Sequence, residues 1–227
     1  MRHLVTGAGS GIGAALAERL HARGDELVLA ARSAARADEL AARFPGATTF
    51  VADLADPASL RLADLDALDS LHHVAGVVAL APVAEQDDAR LREQVDVNLV
   101  APAVLTRLAL PALRRAGGLV VFVGSTAGLT ANPSWSAYAA TKFGLRGFAD
   151  ALRAEEAAAG HGVRVTSVFP GRTATPMQAR VHEQEGKDYD PTRFADPGTV
   201  AETVLHVLDL PRDATISDVT VRPGPGA

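Results

Sequence analysis

The chain has no cysteine among its 227 residues, which excludes disulfides and thiolate metal ligands. Lysine is almost as scarce: Lys142 and Lys187 stand against twenty arginines. The formal net charge is -5, so no basic excess exists to carry a nucleic-acid interface, and the uneven arginine usage reads as compositional bias. No uninterrupted apolar run approaches the ~18 residues of a membrane span. The first expected strand begins within two residues of Met1, leaving no room for a secretory signal, so a cytoplasmic protein is expected. No block of low complexity occurs, and 48% hydrophobic with 22% charged residues is an ordinary globular composition. The length suits a single α/β domain over residues 1–227, without room for a comfortable second one.

Tyrosine is scarce too, with Tyr138 and Tyr189 alone. Yet Tyr138 and Lys142 stand four residues apart in Tyr138-Ala139-Ala140-Thr141-Lys142, and Ser125 precedes the tyrosine by thirteen. With so few of either type, chance would give a Tyr-x-x-x-Lys only roughly 0.02 times. Residues 136–159 are rich in Ala, Leu, Glu and Arg with no internal proline, which predicts a helix placing 138 and 142 on one face. An ammonium can then lie near a phenol. A free phenol titrates near ~10, and proton transfer at neutral pH asks for a value ~3 units lower, whereas one nearby cation supplies about 1 to 3. Lysine alone is barely sufficient, which points to further positive charge such as an oxidised nicotinamide ring. Ser125 offers a small hydroxyl that can hydrogen-bond a substrate oxygen as charge develops, or it is a turn residue after Gly124.

At the amino terminus an apolar strand runs straight into Thr6-Gly7-Ala8-Gly9-Ser10-Gly11-Ile12-Gly13 and then a helix. Glycines let the backbone turn and approach a ligand, while free N–H groups at the helix start attract phosphate oxygens. A strict Gly-x-Gly-x-x-Gly does not fit from Gly7, because Ile12 occupies its last slot; Thr6-Gly7-x-x-x-Gly11-x-Gly13 describes it better.

Strands are expected near 2–6, 26–31, 48–52, 71–75, 119–124, 163–169 and 216–221, with helices between them. Runs such as Leu27-Val28-Leu29-Ala30 and Leu119-Val120-Val121-Phe122-Val123 suit strands buried on both faces, as in a parallel sheet. Alternating β and α then predicts an α/β fold, a doubly wound parallel sheet of about seven strands with helices on both faces. Ligands bind beyond the carboxyl ends of such strands, where Gly7, Asp53, Ala75-Gly76, Ser125 and Pro170-Gly171 fall. Residues 172–198 are long for a plain connection and are expected to form a partly helical lid. The tail 222–227 is expected to fray or to reach a neighbouring subunit. His72 and His73, adjacent on a strand, point to opposite faces and do not converge on a metal, and His161, His182 and His206 are expected at the surface.

Together these segments resemble the short-chain dehydrogenase/reductase superfamily, in its smaller branch carrying Thr-Gly-x-x-x-Gly-x-Gly and Tyr-x-x-x-Lys, over nearly the whole chain. The resemblance implies Ser125, Tyr138 and Lys142 as catalytic residues, with Asn98 as the family's water-relay residue. Taken alone, an asparagine in a helix is more often a local kink or surface residue than a functional one. It further implies a cofactor site of Thr6, Gly7, Gly9, Ser10, Gly11, Ile12 and Gly13 at the pyrophosphate, with Asp53 and Leu54 beside the adenine. Ala75, Gly76, Pro170, Gly171, Thr173 and Thr175 join Tyr138 and Lys142 at the nicotinamide end. One departure is visible: His73-Val74-Ala75-Gly76 stands where the family usually has Asn-Asn-Ala-Gly, which puts the local support of the pocket in doubt.

Sites that choose NAD place a carboxylate at the end of the second strand; here Leu29-Ala30-Ala31 is followed by Arg32. A guanidinium there suits a 2′-phosphate, so NADP(H) is favoured over NAD(H), although Arg36 or Arg43 could equally face ligand or solvent. The expected activity is hydride transfer between nicotinamide and a carbonyl or secondary alcohol. Val78, Trp135, Met177 and Phe194 either line an apolar substrate pocket or belong to the core. A cofactor-sensing binding protein without turnover is the rival from another class. A ketoacyl-carrier reductase docking on Arg146 or Arg172 stays open within the enzyme reading. A sugar-nucleotide epimerase would need a carboxyl-terminal domain for which there is no room. The resemblance also implies a homodimer or homotetramer built through helices near 87–114 and 136–159.

Overall fold

The computed structural model describes residues 1–63 and 65–224, so Pro225, Gly226 and Ala227 of the expected irregular tail lie outside the described residues. Seven parallel strands form one sheet: β1 (Arg2–Thr6), β2 (Glu26–Ala31), β3 (Thr48–Val51), β4 (Ser70–His73), β5 (Leu119–Val123), β6 (Arg164–Pro170) and β7 (Asp218–Val221). Their spatial order is β3-β2-β1-β4-β5-β6-β7, and it reverses direction between β1 and β4. That switch point opens a crevice at the carboxyl ends of the strands.

The apolar runs build two cores because successive strand residues face opposite sides. Val5, Leu29, Val121 and Val168 meet Leu16 and Leu20 of α1 (Gly11–Ala22), Leu40 of α2 (Ala34–Arg43) and Val204 and Leu208 of the later helix Pro197–Leu208. Their neighbours Leu4, Val28, Val120 and Val165 meet the other face. There α3 (Asp88–Val95), a π-helical turn Asp96–Val100 and α4 (Ala101–Ala116) run on as one helix beside α5 (Ser136–Ala159). Ala109 and Leu113 of α4 and Leu145, Ala149 and Leu152 of α5 close this second core. The order continues with α6 (Pro176–Gln184) and α7 (Pro197–Leu208). By length and composition alone Asp88–Ala116 is apolar enough to cross a membrane, and 44% of its most apolar window is buried within the fold.

Each observed strand bound lies within two residues of its expectation, and β4 shows why one end moved. It stops at His73 because the hydroxyl of Thr6 accepts the N–H groups of Val74 (3.1 Å) and Ala75 (3.2 Å), taking them out of the ladder. His72 and His73 do face opposite sides, and both are buried. Ser70 Oγ bridges His3 Nδ1 (2.6 Å) and His72 Nε2 (2.5 Å) on one side. On the other, His73 Nε2 meets Thr106 Oγ1 at 2.9 Å and its ring stacks on Phe122. Register delivers this pairing: His3 lies opposite Ser70 across the β1–β4 ladder.

Burial holds His73 down to about 3 and lowers His72 and His3 as well. A histidine in the unfolded chain takes its proton near ~6.5. Between there and about 3 the unfolded state therefore binds more protons, and stability rises with pH. The histidine contribution is complete above ~6.5 and is lost as pH falls through that window, at about 1.4 kcal/mol per unit for one such group. Urea unfolding near neutral pH and at pH ~4.5 should show a shallower acid loss in His73→Gln than in the wild type. Equal slopes would exclude His73 as a source.

Candidate active site

The first wall of the crevice is the turn between β1 and α1. Gly7 has φ +77°, and a Cβ there would stand 2.8 Å from the Ala75 backbone nitrogen. At Gly13 a Cβ would lie 2.6 Å from the Gly7 carbonyl carbon and closer still to its oxygen, so only glycine lets α1 start against the turn. Ser10, the residue before α1, makes no side-chain cap, and the first turn of the helix carries no acidic residue. Its N–H groups and positive dipole end are left to an anionic ligand.

The second wall comes from β5 and α5. Ser125 follows β5 in extended conformation and its hydroxyl accepts the Ala127 N–H at 3.1 Å. One α-helical turn separates Tyr138 from Lys142, and both are buried. Lys142 Nζ lies 5.6 Å from the centre of the phenol ring and donates to the Val123 carbonyl at 3.0 Å. Trp135 meets the same phenol edge-on at 5.7 Å. Burial pushes the Tyr138 phenol up to about 12, while the Ser125 hydroxyl, hydrogen-bonded to it, pulls it down. Burial also lowers Lys142 to about 8. Desolvation thus outweighs the Ser125 hydrogen bond, and the phenol needs nearby positive charge before it can ionise near neutral pH.

Ser125, Tyr138 and Lys142 share one cavity of about 330 Å³ with Ser10, Gly11, Ile12 and Gly13. A second cavity, of about 420 Å³, continues past Gly7 and Gly9 to the ends of β2 and β3. Arg32, Arg36, Arg43, Asp53 and Leu54 line it. Arg36 is paired with Glu39, and Arg43 with Glu18 at 2.6 Å. Arg32 makes no ion pair or hydrogen bond among the described residues.

A family model described as short chain dehydrogenase matches residues 2–186 of the chain. An uncharacterized short-chain type dehydrogenase/reductase of Sinorhizobium fredii is 33% identical, the match covering 97% of this chain and 90% of the relative. The chain belongs to the short-chain dehydrogenase/reductase family. It is accordingly an oxidoreductase. An uncharacterized oxidoreductase of Staphylococcus aureus is 28% identical over 97% of this chain and 96% of its own. A short-chain dehydrogenase from Sphingobium yanoikuyae, solved in complex with NADPH, superposes with a TM-score of 0.81 at 29% identity, covering 96% of this chain and 87% of that one.

In this short-chain dehydrogenase/reductase the two cavities gather most of the residues picked out from sequence. The larger part of the glycine turn, Ala75, Gly76, Ser125, Tyr138, Lys142, Pro170, Gly171, Thr173 and Thr175 border the first; Gly9, Arg32, Asp53 and Leu54 border the second. Two do not reach a cavity wall. Thr6 is buried with its hydroxyl spent on the backbone of residues 72–75, so it clamps β1 to the end of β4 and touches no ligand space. Asn98, in the π-helical turn, is a layer behind: its amide accepts from Val77 N (2.8 Å) and donates to Val77 O (2.9 Å) and Thr141 Oγ1 (3.2 Å). Its side chain positions the strand-end loop against α5.

At Val74, where the family usually has asparagine, the Thr6 hydroxyl ties the N–H and the side chain packs against the first core. Phe194 stacks on Tyr189, lies tilted against His182 and does not line the cavity, unlike Val78, Trp135 and Met177. His182, expected at the surface, is buried against those two rings, with Arg172 Nη1 3.2 Å from its Nε2. Sequence reasoning did not find Gln94 and Gln184. Their side chains hold the loop after β4 at Ala79 N (3.1 Å) and Leu80 N (2.7 Å), and only the fold brings these partners together.

Proposed function

We propose that this oxidoreductase interconverts a carbonyl compound and its secondary alcohol with NADP(H), using Tyr138 as general acid and base. One observation carries the reading: Ser125, Tyr138 and Lys142 share a single cavity with a helix start shaped for a dinucleotide phosphate. A Cβ at Gly7 or Gly13 would fill the cradle, so these residues fit the cofactor. The turn and the α1 N–H groups would hold its pyrophosphate, and Lys142 its nicotinamide end. Bound NADP(H) supplies the hydride in reduction and accepts it in oxidation.

Tyr138 Oη gives its proton to the carbonyl oxygen as that oxygen becomes an alkoxide, and in the reverse direction the phenolate takes the hydroxyl proton. Ser125 donates a hydrogen bond to the same oxygen and stabilises the charge that develops there. Lys142, with a value of about 8, is protonated at neutral pH and favours the phenolate. Residues 172–198 act as the lid. Arg172 pairs with Glu185 at 2.7 and 2.9 Å, fixing the base of α6 while Met177 and Gln178 face the cavity. That pairing also leaves Arg172 poorly disposed to dock an acidic carrier. The intact Ser-Tyr-Lys set favours turnover over cofactor sensing. A homo-oligomer through α4 and α5 belongs to the same reading, since Phe143 on α5 is 43% exposed. Light scattering showing a monomer would remove that part.

Incubating the purified protein with NADPH and a panel of aldehydes and ketones, and with NADP+ and secondary alcohols, tests the activity through the nicotinamide absorbance. Absence of any turnover with tight cofactor binding would favour the sensing protein instead. The preference for NADP(H) rests on Arg32, whose free guanidinium can meet a 2′-phosphate with charge-assisted bonds. Arg32→Ala is expected to weaken NADPH binding about ten- to hundredfold with little change for NADH. Tighter binding of NADH than NADPH by the wild type would contradict the assignment.

A further inference from the structure

From the lining of the substrate cavity we infer that the substrate carries an oxyanion, a carboxylate or phosphate, held by Arg180. The inference rests on the carbonyl-reduction reading of the same site and adds a charge to its substrate. The cavity is lined by apolar Val78, Trp135 and Met177 and by polar Asn132, Gln178 and Arg180. No aspartate or glutamate lines this cavity. Three cations do, and two of them are already engaged. Lys142 is buried on the Val123 carbonyl, and Arg172 is neutralised by both oxygens of Glu185. The guanidinium of Arg180 makes no ion pair or hydrogen bond among the described residues.

Helix geometry separates Arg180 from the cofactor's phosphates. The methyl of Thr175, at the start of α6, lies 3.0 Å from where a Cβ on Gly11 would stand, so that end of the helix abuts the phosphate turn. Arg180 is five residues further along, about 7 to 8 Å down the axis. Met177, Arg180 and Val181 are spaced to share one face of α6, and all three border the cavity. Continuing that face, Gln184 accepts from Leu80 N at 2.7 Å and ties the far end of the helix to the loop beyond β4. Arg180 therefore sits along α6 between the phosphate turn and that loop, exposed and bordering the cavity. The cavity of about 330 Å³ must also receive the nicotinamide, which restricts the substrate to a small molecule.

Calorimetric titration of the NADP+-loaded protein tests this without turnover, using acetoacetate, its methyl ester and glycerone phosphate as probes. The expected result is that one of the two anions binds at least tenfold more tightly than the neutral ester, and which one does so separates carboxylate from phosphate. That preference should fall about ten- to hundredfold in Arg180→Gln and be partly restored in Arg180→Lys, with NADP+ affinity unchanged in both. Equal affinity for ester and anions in the wild type would overturn the inference, as would a preference that survives in Arg180→Gln. A loss of NADP+ affinity in Arg180→Gln would assign the guanidinium to the cofactor and overturn it too. Anion binding that depends on Arg180 in a protein without carbonyl turnover would leave the charge assignment standing and refute the reaction beneath it.

Discussion

Tyr138→Phe is expected to lower kcat by about 10²- to 10⁴-fold in both reaction directions while leaving NADPH affinity unchanged. The substitution removes one hydroxyl and keeps the ring that packs edge-on against Trp135 at 5.7 Å, so α5 has no reason to move. Ser125 keeps its bond from Ala127 N, and Lys142 keeps the Val123 carbonyl. What is lost is the proton that must reach the substrate oxygen. Steady-state rates for the best substrate, with NADPH binding followed by fluorescence, check the prediction. Retention of more than about one tenth of the wild-type rate would mean that another group carries the proton.

Gly13→Ala is expected to do comparable damage by a different route. Its Cβ would press on the Gly7 carbonyl, a backbone group that cannot swing aside as a side chain would, so α1 must shift away from the turn. The helix start then no longer aims its N–H groups at the phosphate site. Loss of detectable NADPH binding and a lower melting temperature are the expected results, the strain being about 1 to 3 kcal/mol or more. Gly9→Ala is the comparison: apart from its chain neighbours, none of the described residues lies within 4 Å of a Cβ there, so its melting temperature should stay close to that of the wild type. A Gly13→Ala protein that binds NADPH normally would show that the close approach is unimportant.

Much of the fold was legible because parallel strands are buried on both faces and announce themselves as unbroken apolar runs, as in β5. The span of α5 matched its expectation at both ends, from Ser136 to Ala159, since the stretch is rich in helix formers and stops at Gly160 in the left-handed conformation. Other features depend on which distant residues meet. The mutual fit of His3, Ser70 and His72 needs the β1–β4 register, and the burial of His182 needs Tyr189 and Phe194 to fold back over α6. Asn98 carried a recognisable motif, but its clamp on Val77 arises from a π-helical turn that no 3.6-residue periodicity reveals. The electrostatics of Tyr138 were only half legible. Spacing put a lysine beside the phenol, while the burial that pushes the phenol up to about 12 belongs to the folded pocket.

The proposed help of the cofactor in ionising Tyr138 can be tested without a substrate. The chain has two tyrosines, so the absorbance band of tyrosinate can be titrated and assigned by comparing the wild type with Tyr138→Phe. Without cofactor, Tyr138 should ionise only near about 12. With NADP+ bound, its ionisation should move down by about 1 to 3 units, and the Tyr138→Phe difference spectrum should lose that step. A Tyr138 transition that stays at the same high pH whether or not NADP+ is bound would contradict its assignment as the enzyme's acid and base.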